Sequence, residues 1–470
     1  MNDVNLNLPR PEALLAAGVA AAVLVVGNPV GLGTIMSAVA VAAAVVAQVP
    51  RPLGGATVMD AALALLLAAT TTATTGRWML ALTLPAALYF ASLALAGGRS
   101  WGEVLTAPLA PLRATRDALP TFWTSLGERL GANTPHRNVT LLRGVGLALV
   151  LVTVFGTLFV SADRAFAELT ERYLLPHWNL RLLPVRVGVG ALVALGGAAL
   201  TAAPLLARRE AFEPAQRQLT RAEWLTALGA LDLLFAAFVA VQVAVLFGGH
   251  THVLETAGLT YAEYARQGFF QLLVVAGLTL AVIAGSVRWA RCENPHEVWI
   301  LRILLGVLCL LTLVVVISAL RRLDLYEQAF GFTRARMLAH GILLWFAALF
   351  LLLIGAGVRR QSTWLPRSLV WLTGIALLAC ALLHPDALVA KHNVARWSQT
   401  GLIDLAYLDG LSADAIPALA KLPPRLRSCV LTDDVDHLHR PEPWHAFNLS
   451  RHRARQILNA LDLGVPCQRR

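Results

Sequence analysis

The chain has 470 residues, of which 57% are hydrophobic and 14% are charged. A soluble core of this length cannot hide so much apolar surface from water, so the composition argues against a soluble globular protein and predicts that lipid surrounds much of the chain. The formal net charge is +11, but the arginines are scattered over helix ends and connecting loops. This pattern favours membrane topology over nucleic-acid binding as the origin of the charge.

Apolar runs long enough to cross about 30 Å of hydrocarbon predict an all-α, polytopic bundle of about eleven transmembrane helices. These runs lie at residues 11–27, 34–49, 57–75, 78–97, 141–162, 184–206, 223–247, 268–288, 298–320, 338–357 and 365–385. The first two are short and are joined by turn residues. Residues 11–49 therefore form either two crossings or a re-entrant hairpin.

The predicted organisation has four parts. They are transmembrane helices 1–4 (1–97), a cytoplasmic amphipathic loop (98–140), the main bundle of helices 5–11 (141–386) and a small, mainly helical, extracytoplasmic tail (387–470). Arginines are more numerous in the connections on the N-terminal side, so the positive-inside rule places the N-terminus in the cytoplasm. An odd number of crossings then places the tail outside. The preference for arginine over lysine, with abundant alanine and leucine, indicates a bacterial inner membrane protein.

The chain contains five cysteines, and two of them, Cys429 and Cys467, lie in the tail. They are candidates for a disulfide bond if the tail faces an oxidising compartment. This interpretation agrees with the orientation predicted from the arginines.

Asp232 and Gln242 are polar residues within the seventh predicted crossing, ten residues apart and on roughly the same helix face. An ionisable side chain at that depth is costly unless it faces a partner or a water-filled cavity, so Asp232 is a candidate pathway residue. The alternative is a structural role, in which Asp232 is protonated or is paired with an arginine such as Arg302.

The connection after this crossing is the most distinctive polar stretch between crossings. A short helix capped by Thr260 would present its polar side chains at the outer mouth of crossings seven and eight. These ligand candidates are Tyr261, Glu263, Tyr264 and Arg266. His250, His252 and Glu255 are weak metal-ligand candidates, because such a set has low specificity and a hydrated loop is the favoured interpretation.

A second outer segment, residues 321–336, has a high density of charge. It contains the ligand candidates Arg322, Tyr326 and Glu327. The segment could bind an anionic ligand or lipid phosphates, or it could be an interfacial helix whose long side chains reach the headgroups. The sequence contains no standard nucleotide-binding, hydrolase or metalloprotease motif, so it predicts no cofactor.

Several of these stretches, with elements of the tail, resemble an uncharacterised bacterial membrane family, the domain of unknown function 4153/4173. The matching stretches are Leu231–Phe235, Val241–Gln242, Leu246–Gly248, Thr260–Phe270, Arg322–Arg336, Asn393–Arg396, Leu405–Leu408 and Asn448–Arg451. The resemblance extends from about residue 140 to the end and implies a polytopic membrane protein with no established activity. Family members often have asparagine at the position of Asp232, which would weaken a proton-carrying role.

Three functions are compatible with this sequence. A transporter or channel-like protein would use polar residues of predicted helices 7–10 and would have a solvated cavity reaching Asp232. A non-catalytic scaffold or signalling partner would have a dry bundle and an exposed apolar patch on a tail that binds an envelope protein. An enzyme acting on lipid-linked substrates would use Glu263 or Asp324 as base, with a second carboxylate or a metal in the same cleft. In each case the lipid bilayer is a partner.

Overall fold

The computed structural model describes residues 11–47, 54–98, 100–109, 186, 189–190, 193, 221–247, 269–359, 364–438 and 442–461. In this part of the chain the regular elements are helices and no strand is present, which confirms the all-α fold class. The helices before the tail are α1 (Pro11–Val25), α2 (Leu32–Val46), α3 (Gly55–Ala73), α4 (Arg77–Ala96), α5 (Trp101–Thr106), α6 (Arg221–Phe247), α7 (Phe269–Trp289), α8 (Pro295–Phe330), α9 (Arg334–Arg359) and α10 (Leu365–Leu382). The tail helices are α11 (Pro385–Thr400), α12 (Leu405–Asp409), α13 (Ile416–Leu419), α14 (Pro424–Leu438) and α15 (Leu449–Asn459).

Seven of the described helices, α3, α4 and α6–α10, are long and apolar enough to cross a membrane, as expected of a multi-pass membrane protein. Helices α1 and α2 are apolar but have only 15 residues each. The predicted crossings at 141–162 and 184–206 lie outside the described residues, apart from isolated positions. The count of about eleven helices and the choice between two crossings and a hairpin for residues 11–49 therefore stay predictions.

Helix α8 is the central helix of the second half and packs against α6, α7 and α9. Its 36 residues span roughly 54 Å, so the helix extends beyond the hydrocarbon. The predicted boundary at residue 320 is wrong for the helix, which continues to Phe330 and ends at Gly331. Gly331 has a φ of 81°, a left-handed conformation that glycine adopts without steric cost. The apolar core around α8 includes Leu308, Val316 and Ala319 of α8 and Leu343 and Phe350 of α9.

The first four helices form a layer in which α1 pairs with α2, α2 with α3, and α3 with α4. Helix α10 lies across α3 and α4. Gly374 of α10 makes this close approach possible, because a Cβ atom there would lie 2.5 Å from the ring of Phe90 and 3.4 Å from Leu63. Small residues at such crossings allow transmembrane helices to pack closely.

A buried charge pair joins α3 to α10. The fully buried Asp60 of α3 forms an ion pair with Arg367 and accepts a 2.6 Å hydrogen bond from the indole of Trp371. Arg367 also donates to the carbonyl oxygen of Gly98, 3.2 Å away. A carboxylate without water is tolerated when it is paired and hydrogen-bonded, and both oxygens of Asp60 meet that condition.

The tail has an apolar core of its own, formed by α11–α15. Its fully buried members include Val389, Ala390, Ala415, Ile416 and Leu431. Helix α11 begins at Pro385, so the predicted domain boundary at residue 387 falls within its first turn. Cys429 of α14 is disulfide-bonded, whereas Cys292, Cys309 and Cys380 are free. The predicted partner, Cys467, lies outside the described residues, so the Cys429–Cys467 pairing stays a prediction.

Asp386, in the first turn of α11, is the main polar connection between the tail and the bundle. Its two oxygens accept hydrogen bonds of 2.6 Å each from Nε and Nη2 of Arg334, at the start of α9. The backbone N–H of Ser412 and the indole of Trp78 also donate to Asp386, at 2.9 and 3.4 Å. Arg334 in turn donates to the carbonyl oxygen of Gly410, 3.0 Å away. One carboxylate thereby holds α4, α9, α11 and a tail loop together.

A second contact connects the tail to the turn between α3 and α4. Asp414 accepts a 2.6 Å hydrogen bond from the Thr74 hydroxyl and further bonds of 3.2 and 3.3 Å from the hydroxyl and N–H of Thr75. Asn448 donates to the carbonyl oxygens of Thr71 and Thr74 at 2.9 and 3.0 Å. These carbonyls lie at the end of α3, where the helix leaves them without intrahelical partners. The tail therefore caps a transmembrane helix.

A third contact lies at the turn between α1 and α2. The N–H of Leu32 donates to the carbonyl oxygen of Phe447 at 2.9 Å. A Cβ atom at Gly31 would lie 2.6 Å from the carbonyl oxygens of Ala446 and Phe447, so glycine is needed there for the two backbones to meet. The glycines of this turn thus have a packing role as well as the predicted turn role.

These contacts place four connections on one side of the bundle. The turns α1–α2, α3–α4 and α8–α9 and the α10–α11 junction all meet the tail. Asp60 and Arg367, near the first residues of α3 and α10, lie toward the opposite ends of those helices. Which membrane face each side of the bundle occupies stays a prediction.

We expect Gly374→Ala to destabilise the bundle by about 1–3 kcal/mol, because the added methyl group meets the buried ring of Phe90 and overpacking has a cost of that order. The measurement is the thermal unfolding midpoint of the full-length protein in detergent. Gly306→Ala in α8 is the matched control, because a Cβ atom there meets nothing within 4 Å. Equal midpoints for the two variants would contradict the close crossing of α10 over α3 and α4.

We expect Asp386→Asn to loosen the tail by about 2–3 kcal/mol, less than the loss for a fully buried pair because Arg334 keeps some access to solvent. Hydrogen exchange of residues 401–422 measures the effect, and the exposed Arg291–Glu293 pair supplies the control Glu293→Gln.

Burial raises the pKa of Asp386, but hydrogen bonds from Arg334 and Ser412 and the Arg334 charge lower it below its ordinary value.

Because the folded pKa of Asp386 is lowered, its stabilising contribution is complete above about pH 4, the unfolded value, and is lost as the pH falls through the folded pKa. Protection of residues 401–422 in the natural protein should therefore fall at acid pH, and Asp386→Asn should show a smaller acid dependence. An unchanged acid dependence in Asp386→Asn would assign it to another group.

Candidate functional site

The candidate site is centred on Asp232, near the middle of α6. The side chains of Trp224, Leu228 and Asp232 follow one another at intervals of four residues and are all buried. This stripe faces α8, where Leu301 packs against Trp224 and Leu228. The next residue, Leu233, is 73% exposed and lies on the outer, lipid-facing side of the helix. The pattern of α6 therefore turns Asp232, the acid in its apolar stretch, inward.

Asp232 is 8% exposed, and neither of its carboxylate oxygens has a hydrogen-bond partner among the described residues. The alternative ion pair with Arg302 is thus not formed there. Cys309 of α8 lies close enough to Asp232 for an electrostatic interaction. A buried acid with no partner is costly in a membrane, because neither water nor a cation stabilises its charge.

Two buried hydroxyls of the helices around α6 are hydrogen-bonded within their own helices. Thr312 of α8 donates to the carbonyl oxygen of Leu308 at 2.7 Å, and Thr279 of α7 donates to that of Val275 at 2.9 Å. Their hydroxyls are therefore committed to the backbone and do not solvate Asp232. Among the buried acids of the described bundle, Asp232 is the one whose two carboxylate oxygens both have no hydrogen-bond partner.

Several predicted site residues cannot be placed against Asp232. Gln242 lies in the same helix, α6, but its side chain is outside the described part of the structure. The outer-mouth residues Tyr261, Glu263, Tyr264 and Arg266 and the weak metal candidates His250, His252 and Glu255 lie outside the described residues. Their proposed roles stay predictions.

The second predicted segment forms a polar cluster where α8 and α9 leave the bundle. Glu327 belongs to it with two residues that were not among the predicted ligand set, Asp324 and His340. Nε2 of His340 is 3.0 Å from Oδ1 of Asp324, and Nδ1 is 3.2 Å from Oε1 of Glu327. The spacing of Asp324 and Glu327 on one face of α8 indicates a shared partner, but only the packing of α9 identifies it as His340.

This cluster has two chemical interpretations. Ligand atoms of Asp324, Glu327 and His340 lie within 4.8 Å of one another and could hold a metal ion. A protonated imidazole, however, donates to Asp324 and forms an ion pair with Glu327 without a metal. The cluster also brings two carboxylates together, as the lipid-linked enzyme hypothesis requires for Asp324, but His340 occupies the space between them.

The aromatic candidate of this segment has a structural contact. The guanidinium of Arg336 stacks 4.3 Å above the ring of Tyr326, which also lies against Phe330 at 5.0 Å between ring centroids. A cation–π contact of this kind stabilises the end of α8 against the start of α9. Arg322 lies one turn before Tyr326 in α8 and makes contacts of its own.

We expect Asp232→Leu to leave the stability of the protein unchanged or to raise it by about 1–3 kcal/mol, because a side chain without a partner is replaced by an apolar one. The thermal unfolding midpoint in detergent measures this. Asp60→Leu is the control at a satisfied carboxylate and should lower the midpoint, since it leaves Arg367 unpaired. A large loss of stability in Asp232→Leu would show that Asp232 makes a structural bond.

Neither a curated protein nor a solved structure matches this chain. The model of one family, described as "Domain of unknown function (DUF4153)", matches residues 61–422. The match begins before residue 140, where the resemblance in sequence was expected to start, and ends before the tail residues around Asn448. It includes Asp232 and the contacts of Asp386. Because the matched region is more than half of the chain, the protein belongs to the DUF4153 family.

Proposed function

We propose that the protein is a transporter or channel-like component of a bacterial inner membrane, with a polar pathway among helices α6–α9. The observation that carries this proposal is the burial of Asp232, whose two oxygens have no hydrogen-bond partner among the described residues. A membrane helix that keeps an unpaired acid pays for it in stability, which is the usual mark of an ion or substrate pathway.

The positions of the polar groups support a pathway toward the tail side. Asp232 lies on α6 near mid-membrane and faces α8, and the Asp324–Glu327–His340 cluster joins the tail-side end of α8 to α9, beyond the hydrocarbon. In the present conformation the oxygens of Asp232 are sealed from water. Transport would require an alternative packing of α6 against α8 that lets water or a substrate reach Asp232.

The orientation belongs to the same proposal, with the N-terminus in the cytoplasm and the tail outside the membrane. The distribution of arginines supports it. A disulfide-bonded Cys429 also supports it, because disulfides persist in oxidising compartments.

The second candidate is a non-catalytic scaffold or signalling partner whose tail binds an envelope protein. The attachment of the tail favours it, because the Asp386–Arg334 pair joins the tail directly to α9 and, through Trp78, to α4. A force or partner at the tail would therefore act on membrane helices without passing through a flexible linker.

Cysteine accessibility in intact cells tests the pathway. The native Cys309, beside Asp232, is one reporter when Cys292 and Cys380 are replaced by serine. Asp232→Cys is a second reporter, and it and the control variants also carry Cys309→Ser. We expect both positions to react with a membrane-impermeant, cationic thiol reagent added from outside, because the alternative packing of α6 against α8 that transport requires would let water and the reagent reach them.

Two further variants serve as controls. Leu234→Cys, on the lipid-facing side of α6, should not react, because a charged reagent does not enter hydrocarbon. Gln399→Cys, exposed on α11, should react if the tail is outside. Reaction at 399 without reaction at 309 or 232 would contradict the pathway and favour the scaffold. Protection of position 399 until the cells are permeabilised would contradict the orientation.

A further inference from the structure

One edge of the tail exposes an unusual number of large apolar side chains. Trp444, Phe447 and Leu449 are 66%, 43% and 38% exposed, although the tail buries an apolar core of its own. They lie within six consecutive residues that contain a short 3-10 turn, Trp444–Ala446, and the start of α15. An exposed apolar patch on an otherwise well-packed unit indicates a surface that is covered by a partner.

The backbone of this edge lies directly on the turn between α1 and α2. The N–H of Leu32 donates to the carbonyl oxygen of Phe447 at 2.9 Å, and Nη2 of Arg451 donates to that of Val30 at 3.1 Å. The lack of space for a Cβ atom at Gly31 shows that the two backbones are in contact. The depth of the turn in the membrane therefore sets the depth of the tail edge.

That turn lies close to the hydrocarbon. Helices α1 and α2 have 15 residues each, or roughly 22 Å, which is shorter than the hydrocarbon thickness of about 30 Å. Their outward faces expose apolar side chains to lipid, among them Val23 near the end of α1 and Met36 near the start of α2. The exposed apolar residues of the tail edge therefore lie next to a turn whose helices face lipid.

The chemistry of the edge fits the boundary between acyl chains and headgroups. Tryptophan is enriched at that boundary, because its ring is apolar and its N–H is polar. The exposed side of α15 places His452 and Arg453 within one turn of Leu449. An arginine at that height can contact lipid phosphates while the apolar residues lie deeper.

We propose that the segment Trp444–Leu449 is an interfacial anchor, inserted into the leaflet on the tail side of the membrane next to the α1–α2 turn. Its ligand is the lipid bilayer, recognised by apolar insertion and by contact of Arg453 with headgroup phosphate. The anchor covers the tail-side end of the short helices α1 and α2. It also holds the tail against the membrane surface. The proposal does not depend on a transport function.

Environment-sensitive labelling of the full-length protein in liposomes tests the anchor. In a background with Cys292, Cys309 and Cys380 replaced by serine, an NBD fluorophore is attached to Trp444→Cys without reductant, so that the disulfide at Cys429 stays intact. The matched control is Gln399→Cys, exposed on α11 and outside the apolar patch. The vesicles contain phosphatidylcholine and phosphatidylglycerol, with or without lipids carrying a doxyl quencher near the headgroup.

We expect NBD at position 444 to have a blue-shifted emission and to be quenched severalfold more strongly by the doxyl lipid than NBD at position 399. A label at Phe447→Cys should behave like the label at 444, which guards against a local effect of one substitution. Water-like emission and weak quenching at both 444 and 447 would overturn the proposal and assign the patch to a protein partner or to solvent.

Discussion

The ion pair between Asp386 and Arg334 is the interaction on which the arrangement of the tail depends. Arg334 starts a transmembrane helix and Asp386 starts the first tail helix, so their two parallel hydrogen bonds determine the angle between bundle and tail. The N–H of Ser412 and the indole of Trp78 complete the shell around the buried carboxylate. A charge so enclosed cannot leave its partner without a large cost, and the tail is therefore a fixed layer of the protein.

Three of the buried acids in the bundle and tail differ in whether a side chain donates hydrogen bonds to them. Asp60 and Asp386 lie toward opposite membrane faces, and each has an arginine and an indole as donors. Asp232 lies between these levels and has no donor among the described residues. The paired acids join helices near both ends of the bundle, whereas Asp232 forms no hydrogen bond between helices in the described part of the chain.

The tail also completes the membrane part of the molecule. The side-chain amide of Asn448 donates hydrogen bonds to carbonyl oxygens at the end of α3. The carbonyl oxygen of Phe447 accepts a hydrogen bond from the N–H of Leu32 at the start of α2. Backbone groups near a membrane surface are costly to leave unpaired, and the tail supplies partners that lipid cannot. The membrane layer and the soluble layer thus share hydrogen bonds, and a division into a bundle and a separate domain understates their connection.

The amino-acid sequence by itself determined the helical class, the membrane setting, the family and the approximate helix positions, because apolar runs are local and the bilayer imposes their length. It also identified Asp232, since one acid in an apolar run is visible without any neighbour. The partners of Asp60, Asp386 and Asp414 were decided only by tertiary structure, because each pair joins residues far apart in the chain. For the same reason the sequence did not identify His340 as the partner of Asp324 and Glu327. It also did not predict that α8 continues to Phe330, because the charged residues 321–330 interrupt the apolar pattern and are stabilised by packing against α9.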